Sequence, residues 1–110
     1  MTTETQTDYS TPVTESIKQR VSIRQFRDEA IPEGMLREIL NTARRSPTSS
    51  NTQTYSFVVV RDQATKEQLS VLAGNQKHII DCDTYVAICA DISRMEKAAE
   101  MHGETLGKNL

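Results

Sequence analysis

The sequence predicts a mixed helix-and-strand domain, in which two short strands are set among four helices. Three observations predict it. Two runs, Tyr-Ser-Phe-Val-Val-Val at 55–60 and Thr-Tyr-Val-Ala-Ile-Cys-Ala at 84–90, are rich in β-branched, aromatic and apolar residues, the composition of strands. Elsewhere apolar residues recur three and four apart, the period of a helix face. Clusters of Gly, Pro, Ser and Asn separate these stretches and mark turns.

The elements follow in order. Residues 1–12 are mainly Thr, Glu, Gln and Ser, with little to bury, and are expected to be a disordered tail. Val13, Ile17 and Val21 recur every four residues behind Thr14, which can cap, so a short amphipathic helix is expected there. Residues 21–31 read as extended. Pro32 then stands where helices begin. Met35, Leu36, Ile39, Leu40 and Ala43 form one face of a helix running through Arg45, which Ser46-Pro47 ends. A polar, uncharged loop covers 47–53, and the first strand follows. Asp62 can cap a helix over about 63–73, with Leu69 and Leu72 inward and Gly74 as the stop. Residues 75–80 read as a loop or short helical turn before the second strand. Ser93 and Glu96 have capping-box spacing ahead of a last helix to about His102. A strand–helix–strand order favours a parallel pair. Two strands make an incomplete sheet, whose other strands must come from further sequence or another chain.

Composition removes several function classes. The chain has 110 residues, 36% of them apolar, no Trp and a net charge of −2, enough for one domain with a modest core. Nothing there favours nucleic acid or an anionic membrane surface. No apolar run approaches the roughly 20 residues needed to cross a bilayer. The opening Met-Thr-Thr-Glu-Thr-Gln lacks the basic and apolar regions of a signal peptide, so the expected compartment is the cytoplasm. Cys82 and Cys89 have no metal spacing and only two His are present, which argues against zinc. Cys89, in an apolar run, reads as a buried reduced thiol.

Three constellations could carry chemistry. Arg20, Ser22 and Arg24 would line one side of an extended segment, since residues two apart point the same way. Two guanidinium forks and a hydroxyl suit an anion or phosphate, although a solvated basic face is the plainer reading of the spacing. The loop Thr48-Ser49-Ser50-Asn51-Thr52-Gln53 offers donors and acceptors without charge, as the border of a polar heterocycle would, or is simply a turn. Gly74-Asn75-Gln76-Lys77-His78 is a third polar loop, equally readable as surface. No Gly-x-x-x-x-Gly-Lys or Gly-x-Gly-x-x-Gly loop and no nucleophile–base pair appears, and His102 reads as a surface residue.

The order and content of these segments carry a resemblance. Arg20-Val21-Ser22-Ile23-Arg24-Gln25-Phe26, followed by a helix after Ile31-Pro32, resembles the opening Arg-x-Ser-x-Arg-x-Phe of the nitroreductase family. Pro47-Thr48-Ser49-Ser50-Asn51-Thr52-Gln53-Thr54-Tyr55-Ser56-Phe57 is similar to its Pro-Ser-Ser-x-Asn-x-Gln-Pro-Trp-x-Phe segment. Leu72-Ala73-Gly74-Asn75-Gln76-Lys77-His78-Ile79 with Val86-Ala87-Ile88-Cys89-Ala90-Asp91 resembles the subgroup of NADPH-linked nitroreductases and flavin reductases. The match runs from about Val13 to Asp91. Val21 stands where many members have Arg or His, Thr54-Tyr55 replaces Pro-Trp, and Thr48 replaces a frequent Ser.

The resemblance implies an α+β fold with a central, mostly antiparallel sheet wrapped by helices, in place of a parallel pair, with residues 13–110 forming its amino-terminal portion. It implies a homodimer, or a carboxy-terminal half supplied by another chain, with flavin mononucleotide (FMN) at the subunit interface. The implied cofactor-binding set is Arg20, Val21, Ser22, Arg24, Thr48, Ser49, Asn51, Gln76, Lys77 and His78. In it Arg20 and Ser22 hold the FMN phosphate and Arg24 lies near the pyrimidine side of the ring, where a fixed cation would stabilise the negative charge of reduced flavin. Thr48, Ser49 and Asn51 border the cofactor across the interface. Gln76 bonds the ring, with Lys77 and His78 beside it or the incoming nucleotide. The implied activity is a ping-pong oxidoreductase in which NADPH reduces the flavin and a nitroaromatic, quinone or second flavin takes the electrons. The cofactor does the redox chemistry, so neither a catalytic side chain nor a metal is expected. The alternatives are a catalytically incomplete flavin-binding or dimerising fragment, and an interaction module that grips an anionic partner through its arginines.

Overall fold

The computed structural model describes residues 7–107. Helix α1 spans Pro12–Gln19. Its N-cap is Thr11 rather than Thr14: the Thr11 hydroxyl accepts from Thr14 N at 3.1 Å, and Thr14 Oγ1 accepts in return from Thr11 N at 2.8 Å. Two Thr three apart form a reciprocal capping box, and the cap goes to the one followed by Pro, whose fixed φ suits the first helical position. The expected tail at 1–12 is therefore shortened by Pro12, and its residues 1–6 lie outside the described ones. The helix stops before Val21, because Arg20 is already extended at φ −63°, ψ 129°. Residues 21–31 contain no helix or strand. Helix α2, Glu33–Ala43, ends two residues short of the expected Arg45 and buries Leu36.

Strand β1, Tyr55–Val60, pairs antiparallel with β2, Tyr85–Ala90, from Tyr55 opposite Ala90 to Val60 opposite Tyr85. The parallel arrangement suggested by strand–helix–strand order is thus wrong, and the antiparallel one implied by the resemblance is right. The reason lies in the connection. Helix α3, Gln63–Leu72, leads away from the end of β1, and a second helix, α4, Lys77–Asp81, returns the chain to that same end. A lone crossover helix would have carried it to the opposite end.

Helix α3 begins at Asp62, whose carboxylate accepts from Thr65 N at 2.9 Å. It ends in a Schellman motif: Asn75 N donates to Ser70 O at 2.8 Å and Gly74 N to Val71 O at 3.4 Å, with Gly74 at φ +84°. The expected inward face holds only in part, at Leu69, which is half-buried. Leu72 is 84% exposed, while Lys66 and Ser70 are the buried positions. The inner face of α3 is polar because it meets backbone carbonyls: Lys66 Nζ donates to Cys82 O, and Ser70 Oγ to Gln76 O at 2.8 Å. Helix α5, Ser93–Met101, also begins differently from expectation. Ser93 is its first residue, not its cap, and Asp91 Oδ1 accepts from Ser93 N at 2.9 Å. Cys89 is half-buried rather than buried, and both cysteines are free thiols.

The chain leaves much apolar surface open. Its accessible area is 9841 Å², whereas a compact monomer of this mass would expose about 6,100 Å². Its radius of gyration is 20.3 Å, against about 13 Å for a compact chain of this length. Among the described residues only Leu36 and Ile79 are buried apolar side chains, and Val58, Val59 and Ile88 of the sheet are exposed.

Candidate cofactor site

The candidate residues lie on three segments outside the regular elements or at their ends. Arg20 is the C-cap of α1, and the extended stretch after it carries Val21, Ser22 and Arg24, all exposed. A cleft of 540 Å³ runs beside this stretch, with Ile23, Gln25, Phe26, Met35, Cys82, Asp83 and Thr84 in its lining. Ser22 and Arg24 do not line it. Alternate residues of an extended chain face opposite ways, and over residues 22–25 Ile23 and Gln25 take the cleft while Ser22 and Arg24 do not; Phe26 lines it as well. Among the described residues, neither Arg20 nor Arg24 pairs with a carboxylate.

The second segment is a strained turn. Thr48 precedes a single 3-10 turn, Ser49–Asn51, and Ser50, Asn51 and Gln53 have φ of 52°, 55° and 52°. Asn tolerates the left-handed region; Ser and Gln cost roughly 1 kcal/mol each there. Local bonds hold the turn. Thr48 Oγ1 accepts from Gln53 N at 3.1 Å, Thr52 Oγ1 donates to Ser49 O at 2.8 Å, and Arg94 Nη1 donates to Gln53 O at 3.2 Å. The Arg94 guanidinium also sits over the Tyr55 ring, 5.5 Å from its centroid. Left-handed non-glycine residues held by surrounding bonds are a mark of functional turns.

The third segment follows the Schellman motif. Asn75 is left-handed at φ 61°, and Gln76 is the exposed N-cap of α4 with Nε2 donating to Ala73 O at 2.7 Å. Lys77 is exposed, with Nζ 3.9 Å from Asp81, and His78 is half-buried. Within segments, the fold keeps Ser22 with Arg24, Thr48 with Ser49 and Asn51, and Gln76 with Lys77. No hydrogen bond or ion pair among the described residues joins one segment to another. His102 is exposed, as expected of a surface residue.

Two side-chain clusters were not singled out from the sequence. Asp91 accepts from the Ser56 hydroxyl and from Ser93 N, and these bonds, the Ser56 bond foremost, lower its carboxyl to about 2. Asp83 accepts from Ile31 N at 2.9 Å and from the Thr84 hydroxyl at 2.8 Å, and lies 3.9 Å from Arg61 Nε. The Ile31 amide is the main cause of a carboxyl held below its ordinary range. Asp62 and Asp91 each directly follow or closely follow a strand ahead of a helix, a position where a carboxylate can cap; Asp83 carries no such local signal. No group of His, Cys, Asp and Glu among the described residues could hold a metal. No helix of the described residues is long and apolar enough to cross a membrane.

An antiparallel pair flanked by helices defines an α+β domain. The sequence profile of the Nitroreductase family matches residues 17–103, and the chain belongs to that family. It is 43% identical over 79 residues to the NADH dehydrogenase of Thermus thermophilus, covering 72% of this chain and 38% of that protein. It is 35% identical over 96 residues to the FMN reductase (NADPH) of Bacillus subtilis, covering 87% of this chain and 39% of that one. Bacillus megaterium NfrA2 superposes with a TM-score of 0.84 at 34% identity, over 90% of this chain and 40% of its own. The chain therefore spans about two fifths of the length of these relatives.

Proposed function

We propose that the protein carrying this chain is an FMN-dependent oxidoreductase passing electrons from NADPH to nitroaromatics, quinones or flavin, and that this chain supplies part of its FMN site. Family membership and the names of relatives, FMN reductase (NADPH) among them, support the class of activity. The observation that carries the site is the alternation beside the cleft: Ile23 and Gln25 line it while Ser22 and Arg24 do not, and among the described residues no carboxylate pairs with Arg24. This donor set fits a phosphate monoester and an electron-rich ring edge.

When bound, FMN would supply the redox chemistry, hydride and electron transfer between NADPH and the oxidising substrate. The chain's own residues bind and orient. Arg20 and Ser22 take the phosphate, with Val21 between them; Arg24 faces the pyrimidine edge as a fixed cation. Thr48, Ser49 and Asn51 present hydroxyl and amide groups from a turn whose shape is already set, so little order is lost on binding. Gln76 offers an amide to the ring, and Lys77 and His78 stand near the nucleotide. Closure of the site needs more protein than this chain. The chain exposes about 3,700 Å² more surface than a compact monomer of its mass would. We assign its cover to further sequence and a second subunit, in a cytoplasmic homodimer. The same openness favours a second reading for the chain by itself: it holds flavin or dimerises without turnover.

The test is to purify the complete protein, record its visible spectrum, and mix it anaerobically with NADPH. Retained FMN absorbance that bleaches on mixing supports the proposal. Protein that neither takes up FMN nor oxidises NADPH removes it.

A further inference from the structure

Arg61 and Asp83 come from opposite ends of the α3–α4 excursion and meet at one residue, Ile31. Asp83 Oδ2 accepts from Ile31 N at 2.9 Å, and Arg61 Nη2 donates to Ile31 O at 2.8 Å, so both backbone polar groups of Ile31 are held by side chains. The rest of the Arg61 fork is also used: Nη1 donates to Glu33 Oε2 and Nε to Thr84 Oγ1, each at 3.0 Å. The Thr84 hydroxyl closes the ring by donating to Asp83 Oδ2 at 2.8 Å. Ile31 is where the extended stretch turns into α2. Among the described residues, no backbone group from Val21 to Ala30 bonds to another element, and α1 at the far end buries nothing. The stretch is therefore fixed at Ile31, and Asp83 and Thr84 line the same cleft as Ile23 and Gln25.

We propose that Arg61 and Asp83 are positioning residues for the cofactor: they clasp the Ile31 backbone and so set where Arg20, Ser22 and Arg24 stand. This rests on the reading that those three residues bind FMN. The clasp contributes geometry more than energy. The Arg61 side chain is 38% exposed and its ion pair with Asp83 is long, so the charge attraction itself is weak. What cannot be replaced is the planar fork that reaches Ile31 O, Glu33 and Thr84 together; a lysine keeps the charge but offers one point of contact.

The experiment uses the complete protein stripped of flavin, as wild type, Arg61→Lys, Arg20→Ala and the double variant. FMN is titrated by flavin fluorescence, and amide exchange is followed by peptide. The clasp predicts faster exchange over residues 20–31 in Arg61→Lys, with residues 55–60 and 85–90 unchanged. It predicts FMN binding weakened about tenfold, as when roughly a tenth of molecules hold the competent geometry. Because the clasp also places Ser22 and Arg24, the double variant binds FMN more weakly than Arg20→Ala alone, by up to about the same tenfold. Unchanged exchange over 20–31, or full FMN affinity in Arg61→Lys while Arg20→Ala weakens it, overturns the clasp and leaves the site reading standing. Unchanged affinity in Arg20→Ala overturns the site reading and the clasp with it. If Arg61→Lys lowers the folded fraction, Asp83→Asn is read by the same two measurements.

Discussion

The same methyl group added at two glycines should change stability in opposite directions. Gly74 and Gly34 both have open space where a Cβ would stand, with no atom within 4 Å, so neither substitution meets a packing clash. What differs is the backbone. Gly74 closes the Schellman motif of α3 at φ +84°, in the left-handed region, where a Cβ crowds the following carbonyl. Gly74→Ala should cost about 1 kcal/mol. Gly34 is the second residue of α2 and has helical geometry, so alanine there mainly removes freedom from the unfolded chain. Its position in the first turn puts the gain at the low end, about 0.5 kcal/mol. The assay is urea denaturation of both variants beside the wild type, reading midpoints at a common slope. A midpoint lower for Gly74→Ala and higher for Gly34→Ala supports the backbone assignment. Two shifts of the same sign would refute it.

Asp91 gives a pH prediction. Its carboxyl is lowered to about 2 from 3.8, so the stability it contributes is complete above pH 3.8 and is lost as pH falls through about 2. Wild type should lose stability relative to Asp91→Asn across that window, and parallel curves would count against the Ser56 and Ser93 bonds as the cause. Burial raises the Cys82 thiol above its ordinary range despite nearby Lys66. It should be alkylated by iodoacetamide at pH 8 more slowly than free cysteine, a rate that mass spectrometry of the Cys82 peptide gives directly; an equal rate would contradict the burial.

Elements whose cause is local were legible in the sequence. β1 and β2 announce themselves by composition, and Asp62 and Gly74 bracket α3 as cap and stop. Elements decided by partners far along the chain were not. The short α4 reverses the chain and makes the strands antiparallel, and no strand–helix–strand pattern contains that fact. Lys66 and Ser70 turn inward because carbonyls of Cys82 and Gln76 await them, which displaces Leu72 to the surface. Ser93 does not cap α5: the N-cap is Ile92, and the Asp91 carboxylate just before it takes the amide of Ser93, the first helical residue. At the site, motif order drew attention to the stretches around Arg20, Thr48 and Gln76. It gave no sign of Arg61 and Asp83, which meet at Ile31 across 30 and 52 residues of chain.

The most direct test of the central claim is FMN affinity in the complete protein with Arg20→Ala. Loss of a charge-assisted phosphate contact of about 1.5–3 kcal/mol should weaken FMN binding by roughly 10- to 150-fold with the thermal midpoint of the flavin-free protein unchanged. FMN binding that stays at the wild-type level would contradict the placement of the flavin phosphate at Arg20.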